Sequence, residues 1–439
     1  MAGCAPMSWD FETDEEYASQ LAWVDGFVTE FAEPLDYVIP DPMDFDNPCR
    51  QALIPPLQDV VKERGFWACH LGPELGGKGF GQVKLALLNE ILGRSRCAPA
   101  VFGCQAPDSG NAEIIARFGS PELKAKYLVP LLDGQIASCF SMTEPGGGAD
   151  PTMFVTRAER DGEMWRIDGE KWFSSGADRA AFLIVMAVTD PESPPHERAS
   201  MFIVPAETSG IEIIRNVGLG GNSEGDHSYV RYTDVRVPLD HMLGERGGAF
   251  RVSQSRLGGG RIHHAMRTVG VAQRAFEMLC ERALSRQTQG ERLSKKQLVQ
   301  EMIAESWLEL EQFRLLVLRT AWKIDRYDDY QRVRGDISAV KILLPRVLEH
   351  IASRALQVHG SLGVSNEMPF IGMITSAYSL GLADGPTEVH KITLASQALR
   401  KHTPTEDLFP TRHIPRLRAD AYRRLAPLLA ERGIPLELG

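Results

Sequence analysis

The sequence predicts a multidomain α+β protein, and three observations support this class. The chain has 439 residues, which is too long for one compact core and indicates two or three packed domains. Its 43% hydrophobic and 24% charged residues are typical of a globular protein. The spacing of apolar residues changes twice, from helical to strand-like and back. We therefore predict a helical domain at 1–137, a β domain at 138–246, a helical domain at 247–402 and a tail at 403–439.

Apolar residues recur at helical spacing from Glu15 to Gly134, and one helix in this part has clear ends. Ser120 is a natural N-cap, Pro121 suits the first helical position, and Gly134 would end the helix. The residues expected on its buried face are Leu123, Tyr127, Leu128, Leu131 and Leu132.

The middle part has the spacing of short strands. The segment Met164–Gly169 places Trp165 and Ile167 on one face and is expected to end in an Asp168-Gly169 turn. Further strands are predicted at Phe182–Val188, Met201–Val204, Ile211–Ile214 and Tyr229–Val237. Short strands about ten residues apart predict a small barrel or sandwich.

From Gly247 onward the helical spacing returns with longer helices, which predicts an antiparallel bundle. One helix of about eight turns would carry an apolar stripe, and a second would run from Ala339 to Val358. The stripe consists of Leu298, Met302, Trp307, Leu310, Phe313, Leu316 and Trp322. The tail, with three prolines and an arginine-rich stretch, is expected to lie on the surface.

Composition excludes several classes of function. The formal charge is −10 and no long basic block is present, which argues against nucleic-acid binding. The acidic start resembles neither a secretion signal nor a transit peptide, and the longest apolar run, Ala180–Val188, is too short to span a membrane. Seven scattered cysteines form no metal-binding pattern. We expect a cytoplasmic protein that holds no metal.

Two segments of the middle part could bind a ring system. Phe140–Asp150 is a strand end that runs into a glycine-rich turn, where Thr143 offers a hydroxyl group. Asp168–Gly176 contains two adjacent aromatic residues, Trp172 and Phe173, followed by two serines. Taken alone, the first segment is better interpreted as an ordinary turn and the second as core.

Two further segments lie in the C-terminal helices. Arg256–His264 opens a helix, and Arg286 follows about one long helix later, so these arginines could bind a pyrophosphate. His263 and His264 are neighbours on a helix and point about 100° apart, so tertiary hydrogen bonding is a better interpretation than shared metal ligation. Asp384 precedes a Gly-Pro turn, and its carboxylate either projects into a cavity or caps the next helix.

Taken together and in this order, the four segments resemble the acyl-CoA dehydrogenase family, over roughly residues 10 to 400. Thr143-Glu-Pro-Gly with Asp150 and, about twenty residues later, Gly169-Glu-Lys-Trp are the most specific motifs. The chain is similar to one branch of the family in particular, that of mammalian acyl-CoA dehydrogenase family member eleven and its bacterial relatives. The motifs shared with this branch are Ala106–Asn111, Gly260–His264, Met266–Gly270, Ala383–Pro386 and Glu388–His390.

This resemblance implies a helical N-terminal domain, a β-barrel middle domain and a C-terminal four-helix bundle. FAD would lie between the last two, completed by a neighbouring subunit of a homodimer or homotetramer. An acyl-CoA would be oxidised to a trans-2-enoyl-CoA, and an electron-transfer flavoprotein would accept the electrons.

Individual residues carry these roles only where they match the family's motifs. The resemblance implies that Phe140, Met142 and Thr143 contact the flavin edge, and that Phe173, Ser174 and Ser175 cover the isoalloxazine. It implies that Arg286 contacts the pyrophosphate of the neighbouring subunit's cofactor, with Gln357 and Gly360 on the adenosine side. Thr387 and Glu388 would lie near the flavin. The residues that the resemblance implies as substrate contacts are Ala149, Ser253, Arg256 and Gly385.

The resemblance also implies that Asp384 is the general base that removes the α-proton while the β-hydride leaves. A dry pocket would raise the pKa of this carboxyl group, and the backbone N–H of Asp384 would hold the thioester carbonyl. Most relatives carry Glu as the base. Ser255 occupies the alternative base position, and Ala149, Ser361-Leu362 and Gly381 also depart from the usual pattern.

Two other functions are compatible with the same scaffold. One is a flavin oxidase or monooxygenase similar to nitroalkane oxidase, which also has an Asp base. The other is a flavin-free assembly subunit, which the presence of Thr143, Arg286 and Asp384 argues against.

Overall fold

The N-terminal part of the chain is helical. The computed structural model describes residues 12–73, 77–148, 150–220 and 225–435. The first eight helices are α1 (Glu15–Phe27), α2 (Glu33–Leu35), α3 (Pro48–Glu63), α4 (Gly81–Leu92), α5 (Ala98–Val101), α6 (Asp108–Phe118), α7 (Pro121–Leu123) and α8 (Val129–Leu132). Short π-helical turns, Val28–Ala32 and Lys124–Leu128, join α1 to α2 and α7 to α8.

The helix predicted from Ser120 to Gly134 is confirmed, with one change. The Ser120 hydroxyl accepts a hydrogen bond from Leu123 N at 3.2 Å, so it caps the helix as expected. Gly134 follows the helix at φ 75°, a left-handed conformation that favours glycine. The π turn between these ends is the change. The predicted inner face is buried except for Leu132, which is half-buried.

The middle part is one seven-stranded sheet. Its strands are β1 (Ser138–Ser141), β2 (Arg157–Asp161), β3 (Met164–Ser175), β4 (Phe182–Val188), β5 (Ala199–Pro205), β6 (Ile211–Val217) and β7 (His227–Pro238). The strand order is β1-β4-β2-β3-β7-β6, and β5 pairs with β4. β1 runs parallel to β4, whereas β4–β5, β2–β3, β3–β7 and β6–β7 are antiparallel. Every residue of β4 is buried, as predicted.

The predicted Asp168-Gly169 turn is wrong, because β3 continues through these residues to Ser175. The pairing of β3 with β7 shifts register between Ile167 and Gly169, so the dipeptide forms a bulge. Gly169 has φ 146°, and a Cβ there would lie 2.7 Å from Thr156 Cα. Thr156 packs too closely for a side chain, and this explains the glycine within a strand.

The C-terminal part is again helical, and its order after the sheet confirms the predicted α+β class. Its elements are α9 (Ala249–Ser285), a hairpin of β8 (Gln287–Thr288) and β9 (Glu291–Arg292), α10 (Gln297–Tyr327), α11 (Tyr330–His359), α12 (Phe370–Leu382) and α13 (Thr387–Leu399). Helices α9 to α12 pack against one another as a bundle. Among the helices of the described residues, none has the length and apolar composition needed to cross a membrane.

The chain divides into two compact units between Ile392 and Thr393. The second unit contains α14 (Ile414–Ala430), and none of the side chains of this helix is buried. The domain limits at 137/138, 246/247 and 402/403 stay predictions.

The apolar stripe predicted on α10 is only partly right. Leu310 and Phe313 are buried, whereas Leu298 and Trp307 have relative exposures of 71% and 52%. The helix is 31 residues long, and in its first part Met302 packs against the core while Leu298 and Trp307 lie on the exposed side. Because apolar residues also occur on exposed surfaces, spacing alone overstates how much of a helix is buried.

Close helix packing fixes the position of α9, which carries several candidate site residues. A Cβ at Gly270 would overlap Glu90 O of α4, and a Cβ at Gly93 would overlap the carbonyl oxygen of Arg267. Glycine at both positions allows the two backbones to approach. Arg267 adds a hydrogen bond from its Nε to Asn89 Oδ1 at 2.9 Å.

The glycine-rich turn after β1 is held by a buried ion pair. Lys171 Nζ lies 2.9 Å from Glu144 Oε1, and the two side chains are 0% and 3% exposed. Glu144 also accepts hydrogen bonds from Val155 N at 2.7 Å and Thr156 N at 2.9 Å. Burial lowers the pKa of Lys171 to about 8, an effect that Glu144 opposes. Because buried charges need partners, this pair fixes the turn to β3.

We predict that Lys171→Met lowers the free energy of unfolding by about 3–5 kcal/mol, because Glu144 would remain buried without its cation. Urea denaturation measures the change. Arg236→Met is the matched control in the same sheet, since the Arg236–Asp161 pair is 44% and 52% exposed and its loss should have a much smaller effect on stability. Equal effects of the two substitutions would contradict the role of the buried pair.

Candidate active site

The carboxylate of Asp384 lies in the short connection between α12 and α13, directed at α9. Its side chain is 16% exposed, and Oδ2 lies 4.0 Å from His264 Nε2. A Cβ at Gly260 would be 3.3 Å from the same oxygen, so the carboxylate lies against a bare stretch of helix. Asp384 has φ 56° and Gly385 has φ 102°. These two left-handed residues turn the chain back toward α9.

The alternative role of Asp384 as a helix cap is not seen. Within the described part of the chain, its carboxylate accepts no hydrogen bond from the first turn of α13. The first turn is closed instead by Val389 N, which donates to Pro386 O at 3.0 Å. Thr387 Oγ1 donates to Gly381 O at 3.2 Å. The carboxylate therefore remains available for chemistry.

The expectation of a raised pKa for Asp384 is wrong for the protein without ligands. Burial does raise this pKa, but nearby cations and a histidine that can take up a proton outweigh it, so the net direction is down. These groups are His264, Arg256, Lys341 and Arg261, of which the lysine and the two arginines are charged near pH 7. The sequence prediction considered only the dry environment and missed the cations that α9 and α11 place there.

The two histidines at the carboxylate are neutral near pH 7. Burial lowers the pKa of His264 to about 4, although Asp384 opposes this shift. Burial, with help from Arg261 and Lys341, also lowers the pKa of His390 to about 4. His390 Nε2 is buried without a hydrogen-bond partner and would lie 3.3 Å from a Cβ at Gly385.

His263 points away from Asp384, and its Nε2 lies 3.2 Å from Gln82 Oε1. This contact confirms the predicted tertiary hydrogen bond. Among the described residues, no group of three or more His, Cys, Asp or Glu side chains is arranged to hold a metal ion.

Arg256 connects three parts of the fold at the site. Its guanidinium carbon lies 4.0 Å from the centroid of the Phe140 ring on β1. Its Nε donates to Asn111 Oδ1 of α6 at 2.9 Å, and Asn111 in turn donates to Ser138 Oγ at 2.9 Å. Ser253, one turn earlier on α9, is fully buried and donates to Phe250 O at 2.8 Å. The Ser253 hydroxyl is thus already used within its own helix.

The turn after β1 leaves polar groups available at its edge. Met142 O accepts from Lys171 Nζ at 2.7 Å, and Thr143 O accepts from Trp172 N at 2.8 Å. Within the described residues, the Thr143 hydroxyl and its backbone N–H make no hydrogen bond, and Thr143 is half-buried. Ala149, near the end of this turn, lies outside the described residues.

The three residues predicted to cover a flavin ring differ in orientation. Phe173 is 39% exposed and has φ 54°, at a register shift between Lys171 and Ser174. The Ser174 hydroxyl instead is fully buried, 2.8 Å from Ser141 Oγ. Ser175 Oγ lies 2.7 Å from His227 Nδ1. The structure therefore presents the side chains of Phe173 and Ser175, but not that of Ser174, toward the outside of the sheet.

Arg286 follows the last residue of α9, next to the end of α11. Its Nη1 donates to Val358 O at 2.9 Å. Gly360 has φ 70°, and a Cβ there would lie 2.9 Å from the same nitrogen, so glycine leaves room for the guanidinium. Within the described chain Arg286 forms no ion pair, and its other N–H groups remain available. Gln357 is exposed in the last turn of α11. Arg286 and Gly360, predicted separately, therefore lie together.

The carboxylate of Glu388 is far more exposed than that of Asp384. Its side chain is 73% exposed and its carboxylate is 3.8 Å from Lys391 Nζ. Sequence reasoning gave no individual role to Lys341, His390, Glu144 or Asn111. The last three lie within motifs that carry the family resemblance, but a motif does not identify the partner of a side chain. Lys341 lies in a helical stretch outside all of these motifs.

These residues fit the FAD that the resemblance implies. An arginine without a carboxylate partner suits a pyrophosphate. Unused donors at Thr143 and the exposed Phe173 ring, on a backbone in the left-handed region, suit the edge and face of a planar ring system. When bound, FAD supplies a two-electron hydride acceptor.

Models of three acyl-CoA dehydrogenase domains match the chain: the N-terminal domain at residues 28–135, the middle domain at 139–235 and the C-terminal domain at 247–399. The chain is 36% identical over 401 residues to probable acyl-CoA dehydrogenase FadE2 of Mycobacterium tuberculosis, covering 90% of this chain and 94% of that protein. It is 41% identical over 346 residues to acyl-CoA dehydrogenase family member 11 of Gallus gallus, covering 77% of this chain. The match spans only 44% of the chicken protein.

Solved structures show the same relationship. A putative acyl-CoA dehydrogenase from Mycobacterium abscessus superposes with a TM-score of 0.82 at 34% identity, covering 90% of this chain and all of that chain. A glutaryl-coenzyme A dehydrogenase in complex with glutaryl-CoA superposes with a TM-score of 0.77 at 26% identity, covering 90% and 98% of the two chains. The chain therefore belongs to the acyl-CoA dehydrogenase family, which confirms the family resemblance and the fold predicted from the sequence.

Proposed function

We propose that this protein removes the α-proton of an acyl-CoA thioester with Asp384 while FAD takes the β-hydride, giving a trans-2-enoyl-CoA. The observation that carries the proposal is the carboxylate of Asp384, which is only 16% exposed and is directed at the bare surface of Gly260. A general base needs a defined position and an ionised form near neutral pH. The lowered pKa of this carboxyl group supplies the second condition.

Backbone groups beside the base support the proposed role. No hydrogen bond is made by the backbone N–H of Asp384 within the described residues, so this N–H is available to a thioester carbonyl oxygen. Such a donor stabilises the negative charge that develops as the α-proton leaves. Arg256 also contributes positive charge to the same region, since its electrostatic partners include Asp384.

The remaining candidate residues divide between cofactor and substrate. For FAD we propose side-chain contacts from Phe140, Thr143, Phe173 and Ser175, and a backbone contact from Met142. At the pyrophosphate of FAD we propose Arg286, which would contact the cofactor of a neighbouring subunit in a homodimer or homotetramer. On the adenosine side we propose Gln357 and Gly360. Thr387 and Glu388 would lie near the flavin, and Arg256 and Gly385 near the thioester. An electron-transfer flavoprotein as acceptor rests on the sequence resemblance, and a cytoplasmic location rests on the cysteine pattern and the acidic start of the sequence; both belong to the proposal.

The direct test is anaerobic addition of a series of acyl-CoA thioesters to the purified holoenzyme. We expect loss of the oxidised flavin absorbance and a product lighter by two hydrogen atoms. Reduction by a nitroalkane, but by no acyl-CoA, would instead assign the oxidase chemistry that the scaffold also allows.

We predict that Asp384→Asn keeps bound FAD but reduces it at least about 100-fold more slowly with the best acyl-CoA, since an amide cannot accept the α-proton. Stopped-flow absorbance measures this rate. Asp328→Asn is the matched control, because Asp328 also has a left-handed backbone (φ 46°) but is an exposed residue at the end of α10. A substituted enzyme with the wild-type rate would show that Asp384 is not the base.

We predict that kcat/KM stays level between about pH 7 and about pH 5, because the base is active when ionised and its pKa lies below its usual value of 3.8. Activity should fall only as the pH decreases through that low pKa. The two neighbouring histidines add no step in this range, since their pKa values are about 4. A loss of kcat/KM centred near pH 6 would contradict the assigned ionisation state.

We predict that Arg286→Met weakens FAD binding by about 10- to 100-fold, because it removes charge-assisted hydrogen bonds worth about 1.5–3 kcal/mol. Titration of the apoprotein with FAD measures the dissociation constant. Arg292→Met is the control, since Arg292 is an exposed residue in the hairpin that begins one residue after Arg286. Equal affinities of the two variants would exclude Arg286 from the cofactor site.

A further inference from the structure

A buried lysine and a half-buried arginine hold the backbone at and before Asp384. Lys341 Nζ of α11 donates hydrogen bonds to Leu380 O and, at 2.8 Å, to Ala383 O. Arg261 Nε of α9 donates to Asp384 O at 2.9 Å. The last carbonyl groups of a helix lack partners within the helix, so these donors satisfy groups that the end of α12 exposes. We refer to Lys341 and Arg261 as the carbonyl clamp.

Lys341 occupies an unfavourable position for a charged group. It is 2% exposed, and within the described residues it forms no ion pair at contact distance. Burial of an ammonium group costs several kcal/mol, which two carbonyl hydrogen bonds and the field of a nearby carboxylate only partly offset. Burial lowers the pKa of Lys341 to about 8, and Asp384 opposes the shift. A methionine of similar length would fill the same space without this cost.

The backbone held by the carbonyl clamp is strained. Asp384 has φ 56°, a left-handed conformation that is unfavourable for an L-residue with a side chain. This conformation directs the carboxylate to Gly260 and His264 instead of to solvent. Strained residues persist only where surrounding contacts hold them. Here the surrounding contacts are hydrogen bonds to the carbonyls of residues 380, 383 and 384.

We propose that Lys341 and Arg261 are positioning residues, which hold Asp384 in the orientation required for proton abstraction. This inference rests on the proposed function, since it takes Asp384 as the base. Neither cation is in hydrogen-bond contact with the carboxylate oxygens. Both act through the backbone and through their charge, from two helices that do not carry the base.

The charge of the carbonyl clamp gives a readout that a purely structural role would not change. The titratable and charged groups facing Asp384 are His264, Arg256 and Arg261 from α9, Lys341 from α11 and His390 from α13. Removing the Lys341 charge removes one of the cations that lower the pKa of Asp384. The acid limb of the kcat/KM profile should therefore move to higher pH in a Lys341 variant.

The test compares Lys341→Met and Lys341→Arg with wild-type holoenzyme, using the best acyl-CoA found in the substrate series. We expect Lys341→Met to bind FAD but to slow anaerobic flavin reduction by about 10- to 100-fold, as misplacement of a base by about 1 Å does. KM should change much less than kcat, and the acid limb should shift upward. Lys341→Arg, which retains charge and donors, should recover part of the rate.

Lys323→Met is the matched control. Lys323 is a half-buried lysine of α10 that pairs with Asp336 of α11 at 2.8 Å, and it is not among the groups that shift the pKa of Asp384. Its loss should lower stability without changing the reduction rate or the pH profile. Should Lys341→Met fail to accumulate as folded protein, Arg261→Gln tests the clamp from α9 with the same expected results.

Two outcomes separate this inference from the proposed function. The first outcome is that the Lys341 and Arg261 variants keep the wild-type reduction rate and pH profile while Asp384→Asn shows no reduction. This would overturn the positioning role and leave Asp384 assigned as the base. Normal reduction in Asp384→Asn would overturn the proposed function itself.

Discussion

The side chain of Asp384 is a carboxylate placed among several cations, and the functional interpretation of the fold depends on that placement. Burial alone would favour its protonated form. Together, His264, Arg256 and Arg261 of α9 and Lys341 of α11 lower the pKa of this carboxyl group below its usual value, so it is ionised near neutral pH. Because the carboxylate is already ionised when the substrate binds, it can accept the α-proton directly. Entry of an apolar acyl chain would exclude water and increase its proton affinity.

The packing of the helices and the sheet fixes the position of the elements around Asp384. The close contact of α9 with α4, allowed by Gly93 and Gly270, fixes the helix against which the carboxylate lies. Arg256, from the same helix, reaches Phe140 of β1 and Asn111 of α6, so it joins the sheet to both helical parts. An error in any of these contacts would displace the base from its target by a distance that matters for proton transfer.

The sequence predicted the order of helices and strands well, because period and end signals are local. Ser120 caps its helix and β4 has the predicted limits. Asp168-Gly169 was misassigned, since whether a dipeptide forms a turn or a bulge depends here on Thr156, which precedes the neighbouring strand β2. Trp307 was misassigned because an apolar side chain at helical spacing does not reveal whether another element covers it.

Sequence motifs predicted which residues belong to the candidate site, but not how their side chains interact. Asp384 and Arg286 were found by motif, and Arg286 lies beside Gly360 as one group. The pKa direction of Asp384 could not be found from sequence, because Lys341 is 43 residues away in the chain and gives no local signal. Ser174 and Ser253 match family positions, yet their hydroxyl groups are turned inward. A motif identifies a residue but does not give its side-chain orientation.

The most direct measurement is the crystal structure of the holoenzyme with a CoA thioester that it cannot oxidise. The account predicts a carboxylate oxygen of Asp384 within about 3.5 Å of C2 of the acyl group, the distance at which proton transfer is possible. A carboxylate that remains against Gly260 and His264, with another side chain closer to C2, would contradict it.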